Sequence, residues 1–208
     1  MNKNDLKFIA AFENIKEDEK IISSTIKIQN SINIYADSKV IAVSVAKDDI
    51  SVNIIARTLA EMYAFQNQST LLLDCNMYTP TLNNAFNINN IEIGLNNIIN
   101  EDINIDKLVN HITDNLDVVF SCKTVYPTEV FKSKNYIDFI SSMKDKYQHI
   151  IIIMPSIAEH RDILINKELF TAALLVARKN KVSKKDLYDS IQVLESNNIP
   201  YVGTIYVK

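Results

Sequence analysis

The chain has 208 residues, 47% of them hydrophobic and 23% charged, which suits one globular domain with a sizeable core and excludes the disordered and fibrous classes. A net charge of −3 and a pI near 5.6 exclude the basic surface of a nucleic-acid-binding domain. No apolar run reaches the roughly 18 residues of a spanning helix, and the opening MNKNDLKF has no signal-peptide core, so the expectation is a cytoplasmic protein without membrane insertion. Cys75 and Cys122 are too few and too scattered for a disulfide framework or a zinc site, and read as reduced, packed thiols.

In chain order, Met1 to Lys16 places Phe8, Ile9 and Phe12 on one helical side, and Glu17 to Asn30 carries Ile21, Ile22, Ile26 and Ile28 among polar residues and reads as a helix. Residues 1–38 are therefore taken as an arm and helix, and residues 39–208 as a single α/β domain. Lys39 to Ala60, KVIAVSVAKDDISVNIIARTLA, reads as a buried strand from Val40 to Val45, a short loop, and a helix whose Ile55, Leu59 and Met62 recur at i, i+4 and i+7. Strand, loop and helix at this place in an α/β chain commonly hold a phosphate, because backbone N–H groups and the helix N-terminus converge on an anion. Such a loop needs glycines to curl, a lysine to meet charge and a hydroxyl for magnesium. Between Lys47 and Ile54 stand only Asp48, Asp49, Ile50, Ser51, Val52 and Asn53. Average usage of about 7% would give roughly fifteen glycines, yet the chain has two, Gly94 and Gly203, neither near this loop.

Further along, Ser69 to Asp74 is a second buried strand ending in an acid, and Pro80 to Phe86 a short helix with proline in its first turn. Leu108 to His111 leads into a third strand, Leu116 to Phe120, followed by a helix from Tyr136 to Tyr147 with Ile137, Ile140 and Met143 on its buried side. His149 to Met154 is an unbroken apolar run of the kind found in central parallel strands. Arg161 to Leu169 reads as a helix, Ala172 to Ala177 as a strand, and Ser183 to Asn198 as a long helix with Ser183 as N-cap and Asp186 three residues on. Tyr201 to Val207 is the last strand. Five or six strands alternating with helices specify a doubly wound, mainly parallel sheet with helices on both faces.

The ordered frames resemble the bacterial tyrosine kinases of capsule and exopolysaccharide synthesis, over roughly Glu19 to Lys208. Their loop reads S-A-K-P-G-E-G-K-S-T before a helix ending N-L-A. Val45-Ala46-Lys47 matches its entry and Thr58-Leu59-Ala60 the helix end. The overlay puts Asp49 and Ser51 at the two glycines, Val52 at the lysine and Asn53 at the magnesium-binding hydroxyl. The family's L-L-I-D-x-D-x-R-x-P matches Leu72 to Pro80, with Asp74 and Pro80 kept, Asn76 at the second acid and Tyr78 at the arginine. In Y-D-x-I-I-I-D-T-P-P, Tyr147, Ile150 to Ile152 and Pro155 match, and the terminal aspartate falls on Ile153. A Glu-x-x-Arg-x-x-Arg helix, which closes a ring of subunits in the family, overlays Glu19, Ile22 and Thr25. The closing strand G-x-V-x-N matches at Gly203, and no tyrosine-rich tail is expected after it.

This resemblance implies a P-loop NTPase-like fold of the SIMIBI or ParA type, in a family that uses ATP and magnesium. With a degenerate Walker A loop and all three nucleotide-site segments altered, the expectation is a pseudokinase with no catalytic residues and no cofactor. It would regulate or scaffold capsular or exopolysaccharide biosynthesis or export through a protein partner, either a membrane chain-length regulator or an active kinase paralogue. The expected state is a monomer or dimer, cytoplasmic and recruited to the inner face of the membrane by that partner. The alternative is a tyrosine kinase, ATPase or metal-binding protein with chemistry rebuilt on Asp48, Asp49 and Asp74. Asp74 is a weak metal candidate, read here as the cap of the turn after its strand. A Min-type membrane-positioning ATPase shares the fold but implies a terminal basic amphipathic helix that this sequence does not display. His111, His149 and His160 form no metal-ligand spacing.

Overall fold

The computed structural model describes residues 40–100 and 103–207, together with Ser23, Ile26, Lys27, Gln29, Asn30 and Ile32. Its strands are β1 (Val40–Val45), β2 (Thr70–Asp74), β3 (Val109–Thr113), β4 (Leu116–Val119), β5 (His149–Ile153), β6 (Ala172–Arg178) and β7 (Tyr201–Val207). The helices between them are α1 (Ser51–Phe65), α2 (Leu82–Ala85), α3 (Pro127–Lys132), α4 (Lys134–Lys146) and α5 (Lys184–Ser196). The strands form one sheet in the order β3-β4-β2-β5-β1-β6-β7, with every pairing parallel except β3 with β4.

The apolar runs explain the centre of this sheet. All six residues of β1 are buried, between β5 on one side and β6 on the other, because a strand covered on both faces needs apolar residues at every position. Val40 and Ala42 point into a core layer with Phe131 of α3, Phe139 and Ile140 of α4, and Leu194 of α5. Ile41, Val43 and Val45 point into the opposite layer with Ile55 and Leu59 of α1, Leu82 and Ile32. The expected helix-covered, doubly wound architecture is what the chain adopts, with side chains such as Ile41, Leu72 and Ile151 wholly buried and each stabilising the fold by about 1.5 to 3 kcal/mol.

Several local expectations need correction. The sheet has seven strands, because Val109–Thr113 is itself a strand that turns back antiparallel onto β4 with an irregularity between His111 and Thr113. Pro127–Lys132 is a further helix, with proline in its first turn, and α4 begins earlier than Tyr136, where the Ser133 hydroxyl accepts the Tyr136 N–H at 3.2 Å. Its buried side is Tyr136, Phe139, Ile140 and Met143, whereas Ile137 is 38% exposed. Arg161 to Leu169 is no helix but two 3₁₀ turns, Asp162–Leu164 and Lys167–Leu169. Arg161 adopts a left-handed conformation with φ 54°, and Asn166 leaves helical geometry to donate its side-chain amide to the Phe131 carbonyl at 2.6 Å. The described residues from Ser23 to Ile32 are helical, while Glu19, Ile22 and Thr25 lie outside the described residues. Among the described residues no helix is long and apolar enough to cross a membrane.

Candidate functional site

The strand order brings β2, β5, β1 and β6 side by side, so the loops leaving their C-terminal ends share one rim of the sheet, the usual place for a ligand in an open α/β fold. The seven positions that the resemblance lays over the nucleotide site, Asp49, Ser51, Val52, Asn53, Asp74, Asn76 and Ile153, lie at this rim. The entry to the first loop is clamped from the β5 side. The Ala46 carbonyl accepts the Ser156 hydroxyl at 3.1 Å and the Ala158 N–H at 3.3 Å, and the Val45 carbonyl accepts the Ile157 N–H at 3.0 Å.

The head of α1 is occupied by the chain itself. Asp49 Oδ1 accepts the Ser51 N–H at 2.9 Å, the Asp49 carbonyl accepts the Val52 N–H at 3.3 Å, and the Ile50 carbonyl accepts the Asn53 N–H at 3.1 Å. These are three of the helix-start donors that otherwise seek an anion or water. Asp49 Oδ2 lies 3.5 Å from the Arg178 guanidinium at the end of β6, and the Asp49 side chain is only 6% exposed. Burial works against ionisation of Asp49, but hydrogen bonding from Ser51 and the charge of Arg178 outweigh it and hold the carboxyl below its usual range.

The second loop is knotted to the first. Thr79 Oγ1 donates to Asp48 Oδ2 at 2.9 Å, and the Asn76 side-chain amide reaches Asp48 Oδ1 at 3.4 Å and Thr79 Oγ1 at 3.1 Å. Asn53, on the first turn of α1, donates its amide to Thr81 Oγ1 at 2.7 Å. Asp74 is 1% exposed. Its carboxylate accepts the Asn76 N–H at 3.0 Å and the Leu82 N–H at 3.4 Å, and its carbonyl accepts the Ser121 hydroxyl. Burial pushes the Asp74 carboxyl up to about 7, against the opposing pull of the backbone N–H groups of Asn76, Leu82 and Thr81. Asp49 is thus tied to the head of α1 and Arg178, while Asp48 and Asp74 are both tied to the turn after β2, Asp48 through the Asn76 and Thr79 side chains and Asp74 through the Asn76 and Leu82 N–H groups. Among the described residues no group of three or more His, Cys, Asp or Glu side chains is arranged to hold a metal ion.

The remaining two positions are apolar and filled. Val52 is 2% exposed and Ile153 fully buried, both in one cluster with Val43, Leu72, Leu82 and Phe120.

Absent from the sequence expectations is Arg178, which lies one residue past the strand expected to end at Ala177. Also absent was a stacked pair at the same rim, Tyr78 on His160, with ring centroids 3.6 Å apart and planes 11° from parallel. No sequence pattern announces that contact. His149 stacks on Tyr63 at 3.8 Å, and His111 pairs with Asp117 at 2.6 Å. Cys75 and Cys122 are free thiols, Cys75 lying 3.7 Å from the Tyr136 hydroxyl in the core.

No protein-family model matches the chain. Across 172 residues it is 23% identical to the tyrosine-protein kinase ptk of Acinetobacter johnsonii, a match that takes in 82% of this chain but only 23% of that protein. It is 26% identical over 196 residues to the putative tyrosine-protein kinase CapB of Staphylococcus aureus, covering 93% of this chain and 84% of CapB. Superposed on the kinase domain of Escherichia coli tyrosine kinase ETK, it gives a TM-score of 0.81 at 20% identity, covering 89% of this chain and 74% of that one. The cell-division ATPase MinD of Pyrococcus furiosus gives 0.67 at 16% identity, over 81% of this chain and 71% of MinD. The fold is therefore P-loop NTPase-like, and the relatives by sequence are bacterial tyrosine kinases, in agreement with the resemblance read from the motifs.

Proposed function

We propose that this chain is a tyrosine-kinase-like protein that has given up nucleotide chemistry and works by binding protein, as a regulatory or scaffolding partner in capsular or exopolysaccharide biosynthesis or export. The observation that supports this is the seat of Asp49: a carboxylate, paired with Arg178, stands at the helix terminus where a phosphate would have to go. An incoming phosphate must displace it and face Asp48 as well. Each unit like-charge pair at about 5 Å costs on the order of 3 kcal/mol at an effective dielectric of 20, and about 1.4 kcal/mol is a decade of affinity.

The residues present do not fit a magnesium nucleotide. Val52 is buried among apolar side chains where the lysine would reach out, Asn53 has its amide committed to Thr81, and Ile153 has no side-chain oxygen. Asp74 already spends its carboxylate on the turn that follows it. Damage at one of these segments could be compensated; at all of them it favours a role without ATP. The partner that suits this reading is a membrane chain-length regulator or an active kinase paralogue, which would place the chain at the inner face of the membrane.

Titration calorimetry with ATP or ADP and magnesium at physiological salt should show no binding, and a micromolar dissociation constant would overturn the proposal. Light scattering should find a monomer or dimer indifferent to nucleotide. A large ring, or an assembly that dissolves on adding ATP, would show that the first loop still senses a ligand.

A further inference from the structure

The connection from β6 into α5 carries Arg178, Lys179, Lys181, Lys184 and Lys185, five cations in eight residues of a chain whose net charge is −3. Arg178 turns to Asp49, and the four lysines are exposed. The nearest acids along the chain are Asp186, which accepts the Ser183 hydroxyl at 2.8 Å, and Asp189, exposed one turn further on. From 178 to 189 the five cations and two acids leave a local charge of +3, so the rest of the molecule carries −6.

The lysines stand on a firmly held backbone. Lys179 N–H donates to the Val207 carbonyl at 2.7 Å, Lys181 N–H to the Arg178 carbonyl at 3.1 Å, and Asn180 takes the left-handed turn position with φ 65°. Val182 packs into the core from the middle of the connection, and the Ser183 hydroxyl caps α5 by accepting the Asp186 N–H at 3.0 Å, which adds the positive end of a 13-residue helix beneath Lys184 and Lys185. Tyr206 on β7, next to the strand end that holds Lys179, is 55% exposed, and Tyr188, one turn along α5 from Lys184, is 62% exposed.

We infer that this face, Lys179, Lys181, Lys184 and Lys185 with Tyr188 and Tyr206 beside them, adsorbs the protein to an anionic phospholipid surface without insertion. The chemistry favours lipid over an acidic protein segment. Lysines are strongly hydrated point charges that suit a diffuse sheet of headgroups, whereas bidentate recognition of individual carboxylates calls for arginine. Clusters of four or more such cations bind anionic leaflets, and exposed tyrosines settle readily at the headgroup level. The rest of the molecule sums to a negative charge, so this face is the one favoured to approach such a surface. The inference goes beyond the proposed function and does not depend on whether nucleotide binds.

The test is sedimentation of the full chain with vesicles of phosphatidylglycerol mixed into phosphatidylcholine, against vesicles of phosphatidylcholine alone. Binding is expected to the anionic vesicles only and to weaken steeply with salt. At roughly fivefold per lysine, the variant Lys179→Gln, Lys181→Gln, Lys184→Gln, Lys185→Gln should bind on the order of a hundredfold or more weaker. Lys181→Glu alone gives the same sign with less risk to the fold, which circular dichroism monitors. Equal binding to neutral vesicles, no binding to anionic vesicles at low salt, or full binding by the quadruple variant would overturn the inference. Binding to polyglutamate or duplex DNA while anionic vesicles are ignored would overturn it too, and would assign the lysines to a different partner.

Discussion

Asp74 and Ile153 are register partners across β2 and β5, and the Cys75 N–H donates to the Ile153 carbonyl at 2.9 Å. In the resembled kinases both positions carry carboxylates; here one of the two is a buried acid and the other a wall of the apolar core. Burial rather than a neighbouring charge sets how Asp74 ionises.

The Asp74 carboxyl is raised from an ordinary 3.8 to about 7 by burial. Between those values the folded protein holds a proton that the unfolded chain has released, so stability falls as pH rises through the window and levels off above it. Urea denaturation between about pH 4 and pH 8 should show this slope, on the order of 4 kcal/mol, relative to Asp74→Asn, which lacks it. Identical pH profiles for the two proteins would mean that Asp74 stays ionised throughout.

Asp49 titrates with the opposite sign. Its carboxyl is held below the ordinary 3.8, so its contribution is present above the unfolded value and lost as pH falls through the folded one. Asp49→Ala removes the acceptor for the Ser51 N–H and the partner of Arg178. The expected loss is about 1 to 2 kcal/mol near neutral pH, read as a melting temperature lower by about 2 to 8 °C. An unchanged melting temperature would remove Asp49 from its capping role.

Placing at position 52 the lysine of the resembled kinases should harm the protein. Val52 is 2% exposed within the apolar layer, so Val52→Lys places an ammonium among buried apolar side chains. A loss of at least about 3 kcal/mol is expected, with no gain of ATP binding or autophosphorylation. Autophosphorylation by this single variant would show that Asn53, Asn76 and Ile153 are compatible with catalysis and would overturn the proposed function.

Gly94 tests the packing behind the rim. A β-carbon there would meet the Cys122 nitrogen at 2.5 Å and the Ser121 carbonyl carbon at 2.9 Å, and Ser121 in turn donates to the Asp74 carbonyl. Gly94→Ala should therefore cost about 1 to 3 kcal/mol in chemical denaturation. A neutral result would show that the 121–122 segment can yield without disturbing the β2 loop.

The sequence by itself determined the central strands and the helix after β1, because each rests on a local pattern. An unbroken apolar run such as HIIII has one economical place in a sheet covered on both faces, and the periodicity of Ile55 and Leu59 names the buried side of α1. Ser183 and Asp186 announced their own cap. The tertiary structure decided what depends on neighbours distant in the chain. Ile137 fits the helical period but faces outward, because Tyr136 and Phe139 take the core side of α4. The helix expected from Arg161 is broken by a hydrogen bond that Asn166 makes to Phe131, a residue on another element. Arg178 meets Asp49 only because β6 lies beside β1, and Tyr78 meets His160 only because the loops after β2 and β5 leave the same edge. Strand order selects those partners, and strand order is written in the packing of the whole sheet rather than in the residues that it brings together.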